Sequence, residues 1–253
     1  MRFALALLPF LALAACNGGD KASGGNGSAA VQTTAPVAAV PAPAGKQWAD
    51  VVEKTADNGF RQGNPNAPIK LVEYGSRMCP FCAQFGTTGV EPLREKYVST
   101  GRVSYEYRDF LIHGAPDLAL ALLNQCVPTD AFFPMLDQIY AGQEGFEQKI
   151  MSLQQTNPQI LDQIQRMSPP QAAAGFAQAL GMVDFMKQHG LPEAQAKACL
   201  ADQKKIEEIA KVNADGANVH GVNSTPTFFI NGTKTDVNTW ADLEPLLQKA
   251  GAR

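Results

Sequence analysis

Two cysteines separated by two residues, Cys79 and Cys82, are the part of this sequence best suited to chemistry, and Pro80 follows the first of them. A CxxC pair can exchange a disulfide, form half of a zinc site or supply two structural thiols. Zinc usually takes four ligands in close pairs, but the sequence has no second CxxC and no histidines at ligand spacing. We therefore predict no metal site and a redox-active disulfide between Cys79 and Cys82.

The flanking segments indicate how this pair is positioned. Residues 69–74 are rich in β-branched and aromatic side chains and predict a strand. Residues 83–98 carry apolar side chains at helical spacing and predict a helix, kinked at Pro92. Cys79 then lies at a helix N-terminus, where unpaired N–H groups stabilise a thiolate and lower its pKa. Cys82, one turn later, can close the disulfide.

Length and charge exclude several classes of protein. The chain has 253 residues and a formal net charge of −3. About 200 residues have a globular composition, which is enough for one domain with a core. The charges are dispersed without a basic stripe, so we expect no nucleic-acid partner. No internal apolar run reaches the length of a membrane-spanning helix. We expect a monomer that needs no organic cofactor.

The N-terminus has the pattern of an export signal. A charged start, an apolar run and small residues predict a signal peptide over residues 1–15. The ending Leu13-Ala14-Ala15-Cys16 resembles a bacterial lipobox, which implies that Cys16 is lipidated and anchors the chain in a membrane. The alternative is an ordinary secretory signal with an incidental cysteine.

A tether is expected after this cysteine. Residues 16–46 are rich in Gly, Ser, Ala, Thr and Pro and predict a disordered linker. We therefore expect the folded domain, residues 47–253, in the bacterial cell envelope, facing the periplasm from a lipid anchor. Asn17 in place of Asp resembles the sorting pattern for the outer membrane.

The order of predicted elements indicates an α/β fold with a large all-helical insertion. A second strand over 102–109 follows the first helix and should pair with the first strand in parallel. Residues 115–219 predict only helices, separated by Pro and Gly. Strand signals return at 228–230, where Asn231-Gly232 predicts a hairpin into residues 235–237. A final amphipathic helix is predicted over 240–250.

A second pair of cysteines could form a disulfide. Cys126 and Cys199 lie in the predicted insertion, and in an oxidising compartment they are most simply paired as a structural disulfide. Two separate thiols or a second redox relay are the alternatives.

Glu73 lies on the strand before the CxxC cysteines, either buried as a proton carrier or exposed on the polar side. A cis Thr225-Pro226 bond would let the chain turn sharply before its strand.

These features resemble one family. The CPFC motif at 79–82 after a strand, the sequence Thr-Pro-Thr-Phe-Phe-Ile-Asn-Gly at 225–232 and the helices between them resemble the DsbA-like thioredoxin-fold thiol:disulfide oxidoreductases. The resemblance covers about residues 63–250. It implies a thioredoxin-like fold and thiol–disulfide exchange, here in a lipoprotein form.

The resemblance also implies roles for individual residues. Cys79 corresponds to the nucleophile that forms the mixed disulfide, and Cys82 to the resolving cysteine. Pro226 corresponds to the cis-proline beside the pair, and Thr225 to the variable residue before it. Glu73 corresponds to the acid that some members keep beneath the active site. Backbone groups at Thr225 would hold an extended substrate peptide.

The same resemblance implies the partners. The substrates would be unfolded or cysteine-containing envelope proteins, held near Pro80, Phe81, Thr225 and Pro226. A membrane redox partner would reoxidise or reduce the pair. The strongly oxidising enterobacterial member has Pro-His between its cysteines, whereas Phe81 offers no ring N–H or charge to the thiolate. We therefore expect a less oxidising potential, with disulfide donation as the main activity.

Other functions stay open at this point. A disulfide reductase or isomerase would use the same residues. A Cu(I) metallochaperone would use Met78 with the two thiols, and a binding module would keep the CxxC as a structural disulfide. His113 is isolated in the sequence and is expected to have a surface or capping role.

Overall fold

A mixed sheet forms the centre of the molecule, and the computed structural model describes residues 30–253. Within this range the sheet has six strands in the order β1-β2-β4-β3-β5-β6. Their bounds are β1 Val52–Lys54, β2 Phe60–Gly63, β3 Ile69–Gly75, β4 Val103–Asp109, β5 Thr227–Ile230 and β6 Thr233–Lys234. The pairing of β3 with β4 is parallel, and the other pairings are antiparallel.

The first βαβ unit matches the prediction, including the interruption of its helix. Helix α1, Pro80–Thr88, ends at Gly89, and α2, Val90–Leu93, continues into a π-helical turn before β4. The break lies three to four residues before Pro92, because this proline has no N–H to donate to the carbonyl of Thr88 and its ring crowds that carbonyl. Pro92 itself lies in the first turn of α2, where N–H groups have no partner within the helix.

The insertion between β4 and β5 is helical, as predicted. It contains α3 Ala115–Asn124, α4 Phe132–Thr156, α5 Pro158–Gln165, α6 Pro169–Ala179, α7 Met182–Gln188, α8 Glu193–Leu200 and α9 Gln203–Asn218. Its helices bury an apolar core of their own, which includes Leu120, Ile139, Phe176 and Ile209. After β6, helix α10, Trp240–Lys249, closes the chain against the sheet.

A second apolar core joins the sheet to α1, the start of α4 and α10. It contains Phe85, Phe133, Phe228 and Leu247 together with the buried cysteines of the CPFC motif. Because β3 and β4 are buried in their centres, the loop after β3 is fixed by packing on both sides. The predicted α/β, thioredoxin-like architecture with a helical insertion is therefore the observed one.

The N-terminal segment differs from the predicted tether. Val31 is buried in the sheet core, and backbone N–H groups of Thr34, Val37 and Val40 donate to carbonyls of Lys249, Gly251 and Thr100. The tether prediction is wrong for residues 31–40, because their backbone groups find partners at the end of α10 and at Thr100, just before β4. The predicted signal peptide, residues 1–15, and the lipidation site Cys16 lie outside the described residues.

Two strand assignments also differ from the prediction. Strand β2 has no counterpart in the prediction, since it is too short to show a clear alternation. The C-terminal hairpin begins two residues earlier than predicted, because Asn231 and Gly232 both have positive φ and form a two-residue turn. Ile230 therefore pairs directly with Thr233. Across residues 30–253, no helix combines the length and apolar character that crossing a bilayer requires.

Candidate active site

Cys79 caps the N-terminus of α1. Its backbone is extended, with φ −86° and ψ 120°, and Pro80 begins the helix. The side chain is 5% exposed, and Sγ lies 3.2 Å from the carbonyl oxygen of Thr225. The sequence therefore predicts the position of this thiol at the start of the helix correctly.

The environment of Cys79 favours its thiolate. The pKa of Cys79 is lowered to about 6, first because the thiol of Cys82 donates a hydrogen bond to it. Burial opposes this shift, whereas Thr225 and the backbone N–H groups of Phe81 and Cys82 add to it. A thiol with such a pKa is largely ionised at neutral pH, and the thiolate is the form that attacks disulfides.

Cys82 has the opposite environment. It is completely buried, and the N–H of Ser76 lies 3.5 Å from its sulfur. Burial raises its pKa well above the ordinary value, and the hydrogen bond to Cys79 and the nearby Glu73 raise it further. The two free thiols therefore differ in protonation: Cys79 is mostly a thiolate at neutral pH, and Cys82 is protonated.

Glu73 lies on β3 beneath the pair and is fully buried. The hydroxyl of Tyr105 donates to Oε2 at 2.5 Å, while Oε1 has no hydrogen-bond partner among the described residues. Burial is the main reason that its pKa is raised to about 8. The carboxyl is therefore protonated at neutral pH and, of the two predicted positions, occupies the buried one.

A groove of about 530 Å³ opens over Cys79. The peptide bond between Thr225 and Pro226 is cis, and these residues form one wall. Phe81 is 57% exposed and Ile112 is 45% exposed, and both line the groove. The groove therefore offers apolar side chains and a backbone edge beside the reactive sulfur.

The structure also brings to the site residues that the sequence pattern does not assign to it. Asp117, from the first turn of α3, is buried and accepts hydrogen bonds from the N–H of Met78 at 3.0 Å and of His113 at 2.8 Å. The hydroxyl of Ser76 lies 2.8 Å from its Oδ1. An acid at the start of a predicted helix, shortly after a strand end, is the signal that the sequence offers.

A second set of contacts comes from α4. The side-chain amide of Gln143 donates to the carbonyls of Arg77 at 2.8 Å and Cys79 at 3.0 Å. Arg77 is itself buried and forms an ion pair with Asp109 at the end of β4. The active-site loop is thus held by the sheet on one side and by the insertion on the other.

Three further predicted residues lie away from the reacting sulfurs. Met78 is 4% exposed and packs in the core of the insertion. Cys126 and Cys199 are joined by a disulfide within the insertion, with their Cα atoms 6.0 Å apart. In the described part of the chain, no cluster of three His, Cys, Asp or Glu side chains could hold a metal ion.

Known proteins share this sequence pattern and fold. A family model described as Thioredoxin matches residues 55–249. A Rickettsia felis protein named as a protein-disulfide oxidoreductase is 28% identical over 188 residues, which cover 73% of this chain and 57% of that protein. The chain therefore spans little more than half of that relative.

Two solved structures are similar to this chain in fold. A protein-disulfide isomerase from Novosphingobium aromaticivorans has a TM-score of 0.68 at 25% identity, covering 74% of this chain and 94% of that one. Wolbachia pipientis alpha-DsbA1 has a TM-score of 0.61 at 19% identity, covering 77% and 91%, and so shares the fold. The chain belongs to the thioredoxin family, and it shares its fold with alpha-DsbA1.

Proposed function

We propose that this protein catalyses thiol–disulfide exchange on other proteins and that it acts mainly as a disulfide donor. The observation that carries the proposal is the contrast between Cys79, whose pKa is lowered to about 6, and Cys82, whose pKa is raised. A stabilised Cys79 thiolate stabilises the reduced pair, and a stabilised reduced form makes the disulfide a stronger oxidant.

The reaction follows from this asymmetry. A substrate thiolate attacks Sγ of Cys79 in the oxidised protein, the Cys79–Cys82 bond breaks, and its electron pair leaves on Cys82. The protonated carboxyl of Glu73 lies close enough to affect Cys82 and supplies a proton to this buried sulfur. A second substrate thiolate then attacks the substrate sulfur of the mixed disulfide and releases Cys79 as a thiolate.

The groove suits an unfolded chain as the substrate. Phe81 and Ile112 are exposed apolar side chains on its rim, and the backbone at Thr225 offers strand-like hydrogen bonds. These contacts are independent of the substrate's sequence. We therefore propose cysteine-containing proteins that have not finished folding as the substrates.

A reductase or isomerase is the second candidate. The Novosphingobium aromaticivorans protein, at 25% identity, is named an isomerase. This activity needs the pair to be kept reduced, so a potential close to that of thioredoxin would favour it. The copper chaperone is disfavoured, because the Met78 side chain packs into the insertion core instead of joining the two thiols.

We also propose the location inferred from the sequence. Lipidation of Cys16 would hold the domain at the periplasmic face of an envelope membrane. A membrane redox partner would reoxidise the Cys79–Cys82 pair. Mass spectrometry of the membrane-extracted protein tests this. A diacylglyceryl group on Cys16 that is lost in Cys16→Ala would support the anchor, and a mature N-terminus at another residue would contradict it.

The activity is tested on reduced, unfolded ribonuclease A. The oxidised wild-type protein should restore ribonuclease activity in proportion to the amount of protein added, and Cys79→Ser should not. Cys82→Ser that carries glutathione in a disulfide with Cys79 should form a mixed disulfide with the reduced substrate when a substrate thiolate attacks Cys79 and glutathione leaves. This mixed disulfide should persist, because the competing attack of Cys82 is removed. A Cys126→Ser/Cys199→Ser protein is the matched control and should retain exchange. Equal activity of Cys79→Ser and the wild type would overturn the proposal.

A further inference from the structure

His113 is a titratable residue at the rim of the groove that the mechanism above does not use. It lies just before α3, where the chain leaves the sheet and enters the insertion. Its side chain is 43% exposed, and it lines the groove over Cys79. The CPFC motif itself contains no cation, since Phe81 stands beside the nucleophile.

The orientation of the His113 ring is fixed by its Nδ1 atom. This atom lies 3.1 Å from Oγ of Ser76 and 3.4 Å from Oδ2 of Asp117. The Ser76 hydroxyl already donates its hydrogen to Asp117, so Oγ accepts from the ring. Nδ1 therefore carries a hydrogen in both protonation states, and the titrating proton binds Nε2 on the other edge of the ring.

The carboxylate of Asp117 is held in place by several donors. Its oxygens accept from the N–H groups of Met78 and His113 and from the Ser76 hydroxyl. A proton on His113 changes the net charge of the His113–Asp117 pair from negative to neutral. This change removes negative charge beside the groove and so favours a thiolate there.

The charged groups around His113 favour that proton. Its pKa is raised, first by the hydrogen bond to Asp117, against the effect of burial, and then by the charges of Asp117, Cys79 and Glu147. Glu147 belongs to α4, and Cys79 lies at the start of α1. Across the same groove lie Lys234 and Asp236, which carry opposite charges.

We propose that protonated His113, held by Asp117 and Ser76, is the cation that stabilises the Cys79 thiolate and raises the reduction potential of the Cys79–Cys82 pair. This inference rests on the proposed exchange function. His113 would act through its charge on the sulfur of Cys79, and so it is a positioning residue that tunes the reaction. The insertion would thereby supply the charge that the motif lacks.

Absorbance of the thiolate at 240 nm against pH tests the proposal directly. In His113→Ala, the midpoint for Cys79 should rise by about half to one pH unit, as expected when an opposite charge is removed. His113→Lys keeps a positive charge and should retain a low midpoint. His189→Ala removes an exposed histidine of the insertion and is the control, which should match the wild type.

The glutathione equilibrium gives an independent readout. The equilibrium constant for oxidation of glutathione by His113→Ala should fall about threefold to fivefold near pH 7, which is about 14–21 mV at 29.6 mV per tenfold change. This difference should shrink at higher pH, where wild-type His113 loses its proton. A merely structural role would leave the difference independent of pH.

Two results would overturn the proposal. One is a Cys79 midpoint in His113→Ala equal to that of His189→Ala. The other is an equal rise in His113→Ala and His113→Lys, which would show that shape matters and charge does not. The absorbance titration needs no exchange partner. A wild-type pair that does not react with glutathione would therefore defeat the proposed function, while the titration would still decide the role of His113.

Discussion

At the scale of single residues, three buried acids of different strength share a small space. Cys79 gives up its proton readily, Cys82 keeps its proton, and Glu73 titrates near pH 8. The hydrogen bond from Cys82 and the N–H groups at the helix start explain the lowered pKa of Cys79, and burial explains the raised pKa values of the other two. Ionisation can therefore pass between these groups without a large change in structure.

Glu73→Gln should stabilise the reduced protein increasingly as pH rises. In the wild type the pKa of this carboxyl goes from 4.5 to about 8 on folding, so the native state binds more protons between these values. The contribution of Glu73 to the free energy of unfolding is therefore fully present below pH 4.5 and is lost as pH rises towards 8. At pH 8 the Glu73→Gln variant avoids a loss of roughly 4 kcal/mol in the free energy of unfolding.

Urea unfolding of both proteins at pH 5 and pH 8 measures this effect. The difference in unfolding free energy between variant and wild type should be several times larger at pH 8. Any hydrogen bond that the amide alters should contribute equally at both values. A difference that does not change with pH would show that Glu73 is ionised in the native protein throughout this range.

At the scale of elements, the insertion holds the active-site loop. Helix α3 contributes Asp117 and helix α4 contributes Gln143, and both bond to the backbone between Ser76 and Cys79. The sheet holds the same loop through the ion pair of Arg77 with Asp109. The insertion is therefore part of the site that positions the nucleophile.

Gln143→Ala should destabilise the protein and slow exchange. The substitution leaves two buried carbonyls, of Arg77 and Cys79, without their donor, which costs roughly 1–3 kcal/mol. Gln148→Ala, on an exposed face of α4, is the matched control. Chemical unfolding and the rate of reaction with a reduced peptide measure both effects. Equal stability and rate in the two variants would show that the loop is held without Gln143.

Sequence patterns predicted most of the elements but only part of the site. The strand at 69–74 and the helical insertion follow from local patterns of apolar and polar residues, whereas these patterns left the position of Glu73 open between buried and exposed. Asp117 and Gln143 could not be assigned from such patterns, because their role depends on how α3 and α4 fold back onto the loop. His113 was placed on the surface for the same reason.

At the scale of the whole molecule, two apolar cores meet at the active site. The insertion has its own core and its own disulfide, Cys126–Cys199, which closes a loop with a sequence separation of 73 residues. The N-terminal segment near Val31 also packs against the sheet core. The site is therefore supported by parts of the chain that are distant in sequence.

Cys126→Ser/Cys199→Ser should lose stability but keep its exchange chemistry. Removing this cross-link should lower the unfolding free energy by about 4 kcal/mol in the chain-entropy model. The potential of Cys79–Cys82 should stay the same, because the second disulfide contacts neither sulfur. Thermal unfolding and glutathione equilibration of the variant check the two halves of this prediction. A changed potential would indicate that the two disulfides are coupled.

The most direct test of the central claim is the reduction potential of Cys79–Cys82 in glutathione buffers, with alkylation of Cys126 and Cys199 followed separately. A stabilised Cys79 thiolate predicts an oxidising pair, with a value above about −200 mV and nearer that of DsbA than that of thioredoxin. The absence of a charged ring at Phe81 predicts a value below about −120 mV. A potential near −270 mV, as in thioredoxin, would contradict disulfide donation and favour a reductase.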